Sequence, residues 1–310
     1  MSVAFVFPGQ GSQAPGMGRA LHDANPVARE AFEQMDAALG LSVSRLCFDG
    51  TAEELALTEN TQPAILACSV ATWRCLDARG IRPAYVAGHS LGEYSALVAA
   101  GVLDTGDAVR TVKRRGRHMQ DAVPAGIGAM AAILGADAAM IEEACRLASE
   151  PGNSVSPANF NSPGQIVIAG HVAAVHRAIE EAAKLGARRS TLLPVSAPFH
   201  CELMAPAAAH LSEDLAALTL GVFRVPVISN VTAEAVTEPE VERELLTRQV
   251  VSPVRWQQSV ERLSALGVDT FVEIGPGKVL SGLGKRIVKD ARLLSVGTPD
   301  ELESVTAALV

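Results

Sequence analysis

A chain of 310 residues is long enough to bury one large core or two smaller ones. Its 34 acidic residues against 26 basic ones leave a formal charge of −8, which argues against nucleic acid as a general partner. Five cysteines (Cys47, Cys68, Cys75, Cys145 and Cys201) are odd in number and lack Cys-x-x-Cys spacing, so they read as free thiols of a reducing compartment, the cytoplasm, and exclude a disulfide frame or zinc site.

The first element in chain order is Val3–Phe7, an apolar run that predicts a strand. It is far too short for a signal peptide, and no later segment has membrane-spanning length, so no membrane association is expected. The loop Pro8-Gly9-Gln10-Gly11-Ser12-Gln13 follows, then a helical pattern over Pro26–Leu39. Thr61-Gln62-Pro63 predicts a helix start, with a cap followed by proline in the first turn, for a helix over 61–79. Residues 85–87 predict a short strand, and 93–100 a helix.

Between those two lies Gly88-His89-Ser90-Leu91-Gly92. A Gly-x-Ser-x-Gly between strand and helix is a nucleophile elbow. So sharp a turn strains the serine backbone, and side chains two residues to either side would clash. The hydroxyl then stands at a helix N-terminus, where backbone N–H groups can stabilise a developing oxyanion. A further helix follows Asp104 and runs to about residue 122. The alternation predicts an α/β layout with parallel strands and chemistry at their C-terminal ends.

The middle of the chain changes character. Gly128–Leu134 predicts a strand, 137–147 a helix, 154–160 and 165–169 two strands, 172–185 a helix and 189–194 a strand. Asn161-Ser162-Pro163-Gly164 supplies turn chemistry between the middle strands. The order β-α-β-β-α-β is that of a ferredoxin-like split unit. The chain therefore divides into a small domain over 125–195, inserted in a large domain formed by 1–124 and 196–310. The large domain resumes with a helix over 202–217, a strand over 226–229, a helix over 256–266, the strand Thr270–Ile274 and a final helix after Pro299. The cleft between the domains is the natural place for a substrate.

A serine nucleophile needs a base, and seven histidines compete. His22, His118, His171, His176 and His210 lie in patterns of solvated helix faces or helix starts, and His89 sits too close to the serine in the chain to reach its hydroxyl readily. His200 lies in Val195-Ser196-Ala197-Pro198-Phe199-His200, where the chain leaves the last small-domain strand and can lean over the elbow.

Five segments, in order, carry a resemblance: Phe7-Pro8-Gly9-Gln10-Gly11-Ser12-Gln13, Gly88-His89-Ser90-Leu91-Gly92-Glu93, Ala158-Asn159-Phe160-Asn161-Ser162-Pro163-Gly164-Gln165, Ser196-Ala197-Pro198-Phe199-His200 and Glu273-Ile274-Gly275-Pro276-Gly277. Together they resemble the marks of malonyl-CoA:acyl carrier protein transacylases, over nearly the whole chain. The resemblance implies an α/β-hydrolase-like large domain with parallel sheet plus an inserted ferredoxin-like small domain. It also implies a ping-pong acyltransferase of fatty acid biosynthesis, in which Ser90 takes malonyl from malonyl-CoA and passes it to the phosphopantetheine thiol of acyl carrier protein, with His200 as base. A carbonyl group at Gln249 would orient the histidine, and the N–H groups of Gln10 and Leu91 would form the oxyanion hole. The family's carboxylate-binding arginine falls at Arg115, and Phe199 matches a bulky residue seen where the family takes malonyl, with Asn161 in a family loop near the site. No metal or other cofactor is implied.

Helical spacing agrees with the arginine assignment: Arg110, Lys113, Arg114 and Arg117 cluster on one side, and Arg115 falls opposite Lys113 and Arg117, free to point inward. The exposed charges, with Lys285, Arg286 and Lys289, would suit an acidic carrier protein. The absence of flanking modules reads as a discrete protein. Two alternatives from the same residues are a malonyltransferase serving a polyketide or malonate decarboxylase carrier, and a serine esterase, which would carry an acidic triad member and need no buried arginine.

Overall fold

The structure is a computed structural model that describes residues 2–195 and 197–310. Ser196, which opens both the fourth motif and the second large-domain segment expected above, lies outside the described residues, as does Met1.

The chain begins with β1 (Val3–Phe7), buried at every position as a central parallel strand must be. Five helices follow: α1 (Arg19–Ala24), α2 (Pro26–Leu39), α3 (Val43–Asp49), α4 (Ala52–Ala56) and α5 (Thr58–Asp77). β2 (Tyr85–Gly88) then leads into α6 (Gly92–Ala99) and α7 (Thr105–Asp121). After the small sheet the chain returns through a 3-10 turn (Glu202–Met204), α10 (Ala205–Ala216), β7 (Val227–Ile228), β8 (Ala235–Val236), α11 (Pro239–Gln249), α12 (Trp256–Ala265), β9 (Thr270–Ile274), α13 (Val279–Ile287), β10 (Arg292–Val296) and α14 (Pro299–Leu309). The large sheet has the order β10-β9-β1-β2-β7-β8, parallel except for β8.

The small sheet is built from β3 (Gly128–Leu134), β4 (Val155–Ser162), β5 (Gln165–His171) and β6 (Arg189–Leu192), in the antiparallel order β4-β5-β3-β6. Its helices α8 (Ala138–Ala148) and α9 (Val172–Lys184) cover one face, over a core that includes Ile133, Ile141, Ile166, Ile168 and Val175. This is the ferredoxin-like arrangement, and the whole fold is α/β, with an α/β-hydrolase-like parallel sheet beside it. The small sheet is tied to the connection between α11 and α12, where Phe160 N–H donates to Val254 O at 2.9 Å and Val254 N–H to Ala158 O at 2.8 Å.

Two helix starts differ from the sequence reading. α5 begins at Thr58, not Thr61, so Pro63 lies inside the helix. Thr61 is no cap: its N–H donates to Leu57 O at 2.8 Å and its hydroxyl turns back to the same carbonyl at 3.1 Å, which closes a turn ahead of the proline. The helix expected over 202–217 opens instead as a 3-10 turn, and α10 starts at Ala205, which puts Pro206 in a first turn where its missing N–H costs no hydrogen bond.

The packing of α7 sets up the site. Asp104 caps it, and its apolar stripe runs through Ala108, Val112, Arg115 and Met119, so an arginine occupies a core position. Gly116 brings this helix against the first turn of α5, since a Cβ there would meet Thr58 O at 2.6 Å.

Candidate active site

Register places the two loops that build the site. Phe7 pairs with Gly88, so Pro8-Gly9-Gln10 and His89-Ser90-Leu91 leave the C-terminal edge of the sheet side by side. Ser90 has φ 53°, a left-handed conformation that costs about 1–3 kcal/mol for a non-glycine residue. Glycine is obligatory around it. A Cβ on Gly88 would lie 1.9 Å from Gly92 C, and one on Gly92 would lie 2.1 Å from Phe7 O. Gly9 serves the neighbouring loop, because a Cβ there would meet His89 O at 2.3 Å. The N–H groups of Gln10 and Leu91 donate to no protein acceptor among the described residues, and both residues border the same cavity as Ser90.

His200, also left-handed at φ 62°, holds its Nε2 2.8 Å from Ser90 Oγ. Its Nδ1 lies 2.8 Å from the main-chain oxygen of Gln249 at the end of α11. A carbonyl oxygen can only accept, so Nδ1 carries the proton and Nε2 presents its lone pair to the serine hydroxyl. Burial, and then the nearby Arg115 charge, push the imidazole pKa down to about 3.

Arg115 is 1 % exposed, and burial lowers its pKa. Its Nη1 donates to Gln62 Oε1 at 2.7 Å, and its Nη2 to Ser90 Oγ at 3.1 Å and Gln249 Oε1 at 2.9 Å. All three acceptors are neutral. The guanidinium also lies over the Tyr94 ring, 5.4 Å from its centroid. A cation held this deeply against neutral groups can receive an anion. The other basic residues of α7 are spent on surface ion pairs: Arg110 with Asp107, Lys113 with Glu59, Arg114 with Asp214 and Arg117 with Asp121.

Six of the seven residues singled out from the sequence (Gln10, Ser90, Leu91, Arg115, Phe199 and His200) line one cavity, together with Met119 of α7, Met130 of β3, Asn159 of β4, and Leu193 and Val195 beyond β6. Both sheets thus contribute walls. Gln249 stands behind them, fully buried, holding Arg115 with its side chain and His200 with its main chain. Asn161 Oδ1 accepts from His89 Nε2–H at 2.8 Å, and the His89 ring packs 5.7 Å from that of Trp256, so His89 is engaged away from the serine hydroxyl. Among the described residues, no group of three or more His, Cys, Asp or Glu side chains converges as a metal site.

Sequence reading missed Asn230. Its Oδ1 accepts from Ser90 N–H at 2.6 Å and its Nδ2 donates to Gly88 O at 2.6 Å, clamping the elbow from the end of β7. It also missed Gln62 as the partner of Arg115, and Glu93, whose Oε2 accepts from Asn230 N–H at 3.0 Å and Gln249 Nε2 at 2.8 Å. Burial pushes the Glu93 carboxyl up to about 6. A glutamate in a first helical turn ordinarily reads as a dipole partner, and nothing in its spacing to Gln249 announced the contact.

Comparison with known proteins agrees with this geometry. Residues 4–304 match the acyl transferase domain family. The malonyl CoA-acyl carrier protein transacylase of Bacillus subtilis is 51% identical, over 97% of this chain and 95% of its own, and that of Escherichia coli K12 is 51% identical over 99% and 98%. The solved structure of the Coxiella burnetii malonyl CoA-acyl carrier protein transacylase superposes with a TM-score of 0.97 at 44% identity, covering 100% of this chain and 98% of that one. A malonyl-transacylase in complex with a type II PKS acyl-carrier protein gives 0.96 at 46% identity, covering 99% and 100%. The chain belongs to the acyl transferase domain family and, within it, to the malonyl CoA-acyl carrier protein transacylases.

Proposed function

We propose that this chain transfers the malonyl group of malonyl-CoA to the phosphopantetheine thiol of acyl carrier protein, supplying fatty acid chain elongation, through an ester on Ser90. The observation that carries this reading is the position of Ser90 Oγ, 2.8 Å from His200 Nε2 and 3.1 Å from Arg115 Nη2. A nucleophile, its base and a carboxylate receptor thus meet within the length of one malonyl group.

His200 Nε2 takes the Ser90 proton as Oγ attacks the thioester carbonyl. The N–H groups of Gln10 and Leu91 receive the oxyanion. The C–S bond breaks and the proton passes from His200 to the departing coenzyme A sulfur. In the second half, His200 takes the proton of the carrier thiol, sulfur attacks the malonyl ester, and the C–O bond breaks as Ser90 regains its proton. Thioester and ester are close in energy, so the transfer runs both ways. Arg115 pairs with the malonyl carboxylate through its planar fork. That pairing neutralises the charge that weakens His200 as a base, so binding of the right acyl group raises the basicity of the imidazole. Gln249 orients His200 by its carbonyl, and Phe199 closes the acyl pocket against larger groups.

The likeness to a malonyl-transacylase complexed with a type II PKS acyl-carrier protein supports a second reading of the carrier, in which the same site serves polyketide synthesis. The five buried free thiols support a reducing compartment, the cytoplasm. Among the described residues no helix is long and apolar enough to cross a membrane. The separate sheets support a large domain of residues 1–124 with 196–310 and a small domain of 125–195.

The test is intact-protein mass after malonyl-CoA is added, and again after phosphopantetheinylated carrier protein is added, with Ser90→Ala alongside. A malonyl adduct that requires Ser90 and moves to the carrier supports the transfer, and fatty acid and polyketide carriers compared at equal concentration separate the two readings. An adduct that only decays to free malonate sinks transfer in favour of hydrolysis.

A further inference from the structure

Beneath the elbow lies a second buried carboxyl that the transfer chemistry does not use. Glu242, on α11, is fully buried, as is Glu93 on α6. The two carboxyl groups are within hydrogen-bonding reach of each other. Glu93 Oε2 is occupied by Asn230 N–H and Gln249 Nε2. Its Oε1, and both oxygens of Glu242, find no donor among the described residues. Carboxylate oxygens only accept, so this contact is satisfied only when one of the two groups carries a proton.

We infer that Glu242 is a carboxylic acid that donates its proton to Glu93, and that this pair is a positioning device for the catalytic residues. Glu93 is the anionic member because it faces the donors: Asn230 N–H, Gln249 Nε2 and, beyond the Gln249 amide, the Arg115 guanidinium. Glu242 faces Glu93, and a negative charge on it would act on the Tyr94 hydroxyl of α6. On α10, which also packs against α11, Asp214 is turned to Arg114 and His118. Burial and the neighbouring Glu93 charge hold the Glu242 pKa well above the ordinary carboxyl range. The consequence runs through two residues. Glu93 fixes the Gln249 side chain, whose own main-chain oxygen holds His200, and it fixes Asn230, whose amide clamps Ser90 and Gly88. Loss of the shared proton sets two carboxylates against each other in a dry interior and pulls Glu93 off both.

This inference rests on the reading of Ser90 and His200 given above, and its test separates the two. Infrared difference spectroscopy of the free protein should show a carboxylic-acid C=O band at neutral pH that shifts in deuterium oxide and is missing from Glu242→Gln. In single-turnover malonylation of Ser90, the wild-type rate should fall on the alkaline side as the pair loses its proton, and Glu242→Gln, which keeps an N–H donor, should lose that fall. Glu242→Ala should cut the rate at neutral pH by about 10-fold, the weight of one charge-assisted hydrogen bond, with KM for malonyl-CoA changed less than kcat. Glu242→Gln should retain more activity than Glu242→Ala. A wild-type protein without the carboxylic-acid band overturns the inference even if a variant fails to fold. So does an alkaline fall unchanged in Glu242→Gln. Failure of the wild type to form a malonyl adduct at all would instead overturn the proposed transfer.

Discussion

Arg115 Nη2 donates to Ser90 Oγ at 3.1 Å, so the proposed carboxylate receptor and the proposed nucleophile are joined directly. In the proposed transfer the guanidinium therefore supports two things, the hydroxyl and the malonyl carboxylate, and only the second depends on the acyl group. Arg115→Ala should lower kcat/KM for malonylation of Ser90 by about 100- to 1000-fold, the loss of two charge-assisted hydrogen bonds. Acetyl-CoA has no carboxylate, so acetylation of the same variant should fall much less. Arg115→Lys keeps the charge without the fork and should recover only part of the loss. Rates for both acyl groups in single-turnover experiments decide the matter, and an equal fall for the two would reduce Arg115 to a packing residue.

His200 gives a prediction in pH. Its pKa, pushed down to about 3 by burial and by Arg115, lies below the ~6.5 of an unfolded histidine. The folded protein binds fewer protons than the unfolded chain between those values. Stability owed to His200 is therefore complete above pH ~6.5 and is lost as pH falls toward 3. Glu93, raised to about 6, works in the opposite direction, since its contribution is present at low pH and lost as pH rises through 6. Comparison with His200→Gln isolates the histidine: the wild-type Tm should fall more steeply on acidification than that of the variant. Nitrogen NMR of labelled histidine should show His200 neutral at pH 5, with the proton on Nδ1. Titration near pH 6.5 would contradict this account.

Gly9 tests the oxyanion donors. Its φ is not in the left-handed region, so the residue is glycine for space alone, with His89 O 2.3 Å from where a Cβ would stand. Gly9→Ala must push the Pro8-Gly9-Gln10 loop off the elbow and carry the Gln10 N–H with it. Loss of one oxyanion donor costs about 100- to 1000-fold in kcat. The expected result is a fall of that order with Ser90 and His200 still in place, seen as an unchanged Tm and an unchanged nitrogen NMR signal of His200. Unchanged kcat would mean that the Gln10 N–H is not a donor to the reaction.

Much of this architecture was legible because its signals are local. The elbow announces itself by two glycines flanking a serine, and Gly128–Leu134, Pro26–Leu39 and Thr270–Ile274 fall where periodicity put them. Arg115 was legible through the family resemblance, and helical spacing agreed, since it falls opposite Lys113 and Arg117. The sequence reading missed α11, whose eleven residues are mostly charged or polar, and β10; the other missed elements are short or irregular. α1, α3 and α4 have five to seven residues, β8 has two, and α13 is interrupted by Gly282 and Gly284. The start of α5 was misplaced because Thr-Gln-Pro has the chemistry of a cap, while the hydroxyl of Thr61 bonds backward instead. Asn230, Glu93 and Glu242 stayed hidden for a deeper reason. Their roles come from contacts across 137 or more residues of chain, as between Glu93 and Asn230, and no local pattern encodes such a contact.

Phe199 bears on which acyl group is accepted. It is 7 % exposed, directly before His200, and it lines the cavity with Met119, Met130, Leu193 and Val195. That wall is apolar, whereas Arg115 and Gln62 supply the polar side. In the proposed transfer the α-carbon of malonyl lies between the Arg115 carboxylate site and the carbon attacked by Ser90, so a methyl branch there must find room against the apolar wall. A pocket rejects one added methyl group only by steric conflict, which is worth about 1–3 kcal/mol, or 10- to 200-fold. Phe199→Ser removes most of the ring volume and should raise kcat/KM for methylmalonyl-CoA relative to malonyl-CoA by a factor within that range. The absolute malonyl rate should fall modestly as the wall loosens, and Tm should drop by the few degrees expected of a truncated core aromatic. The deciding measurement is competition between the two thioesters for Ser90, read by mass of the acyl-enzyme. A ratio of adducts unchanged by the substitution would place the selectivity elsewhere on the wall, with Met119 and Met130 as the next residues to cut back.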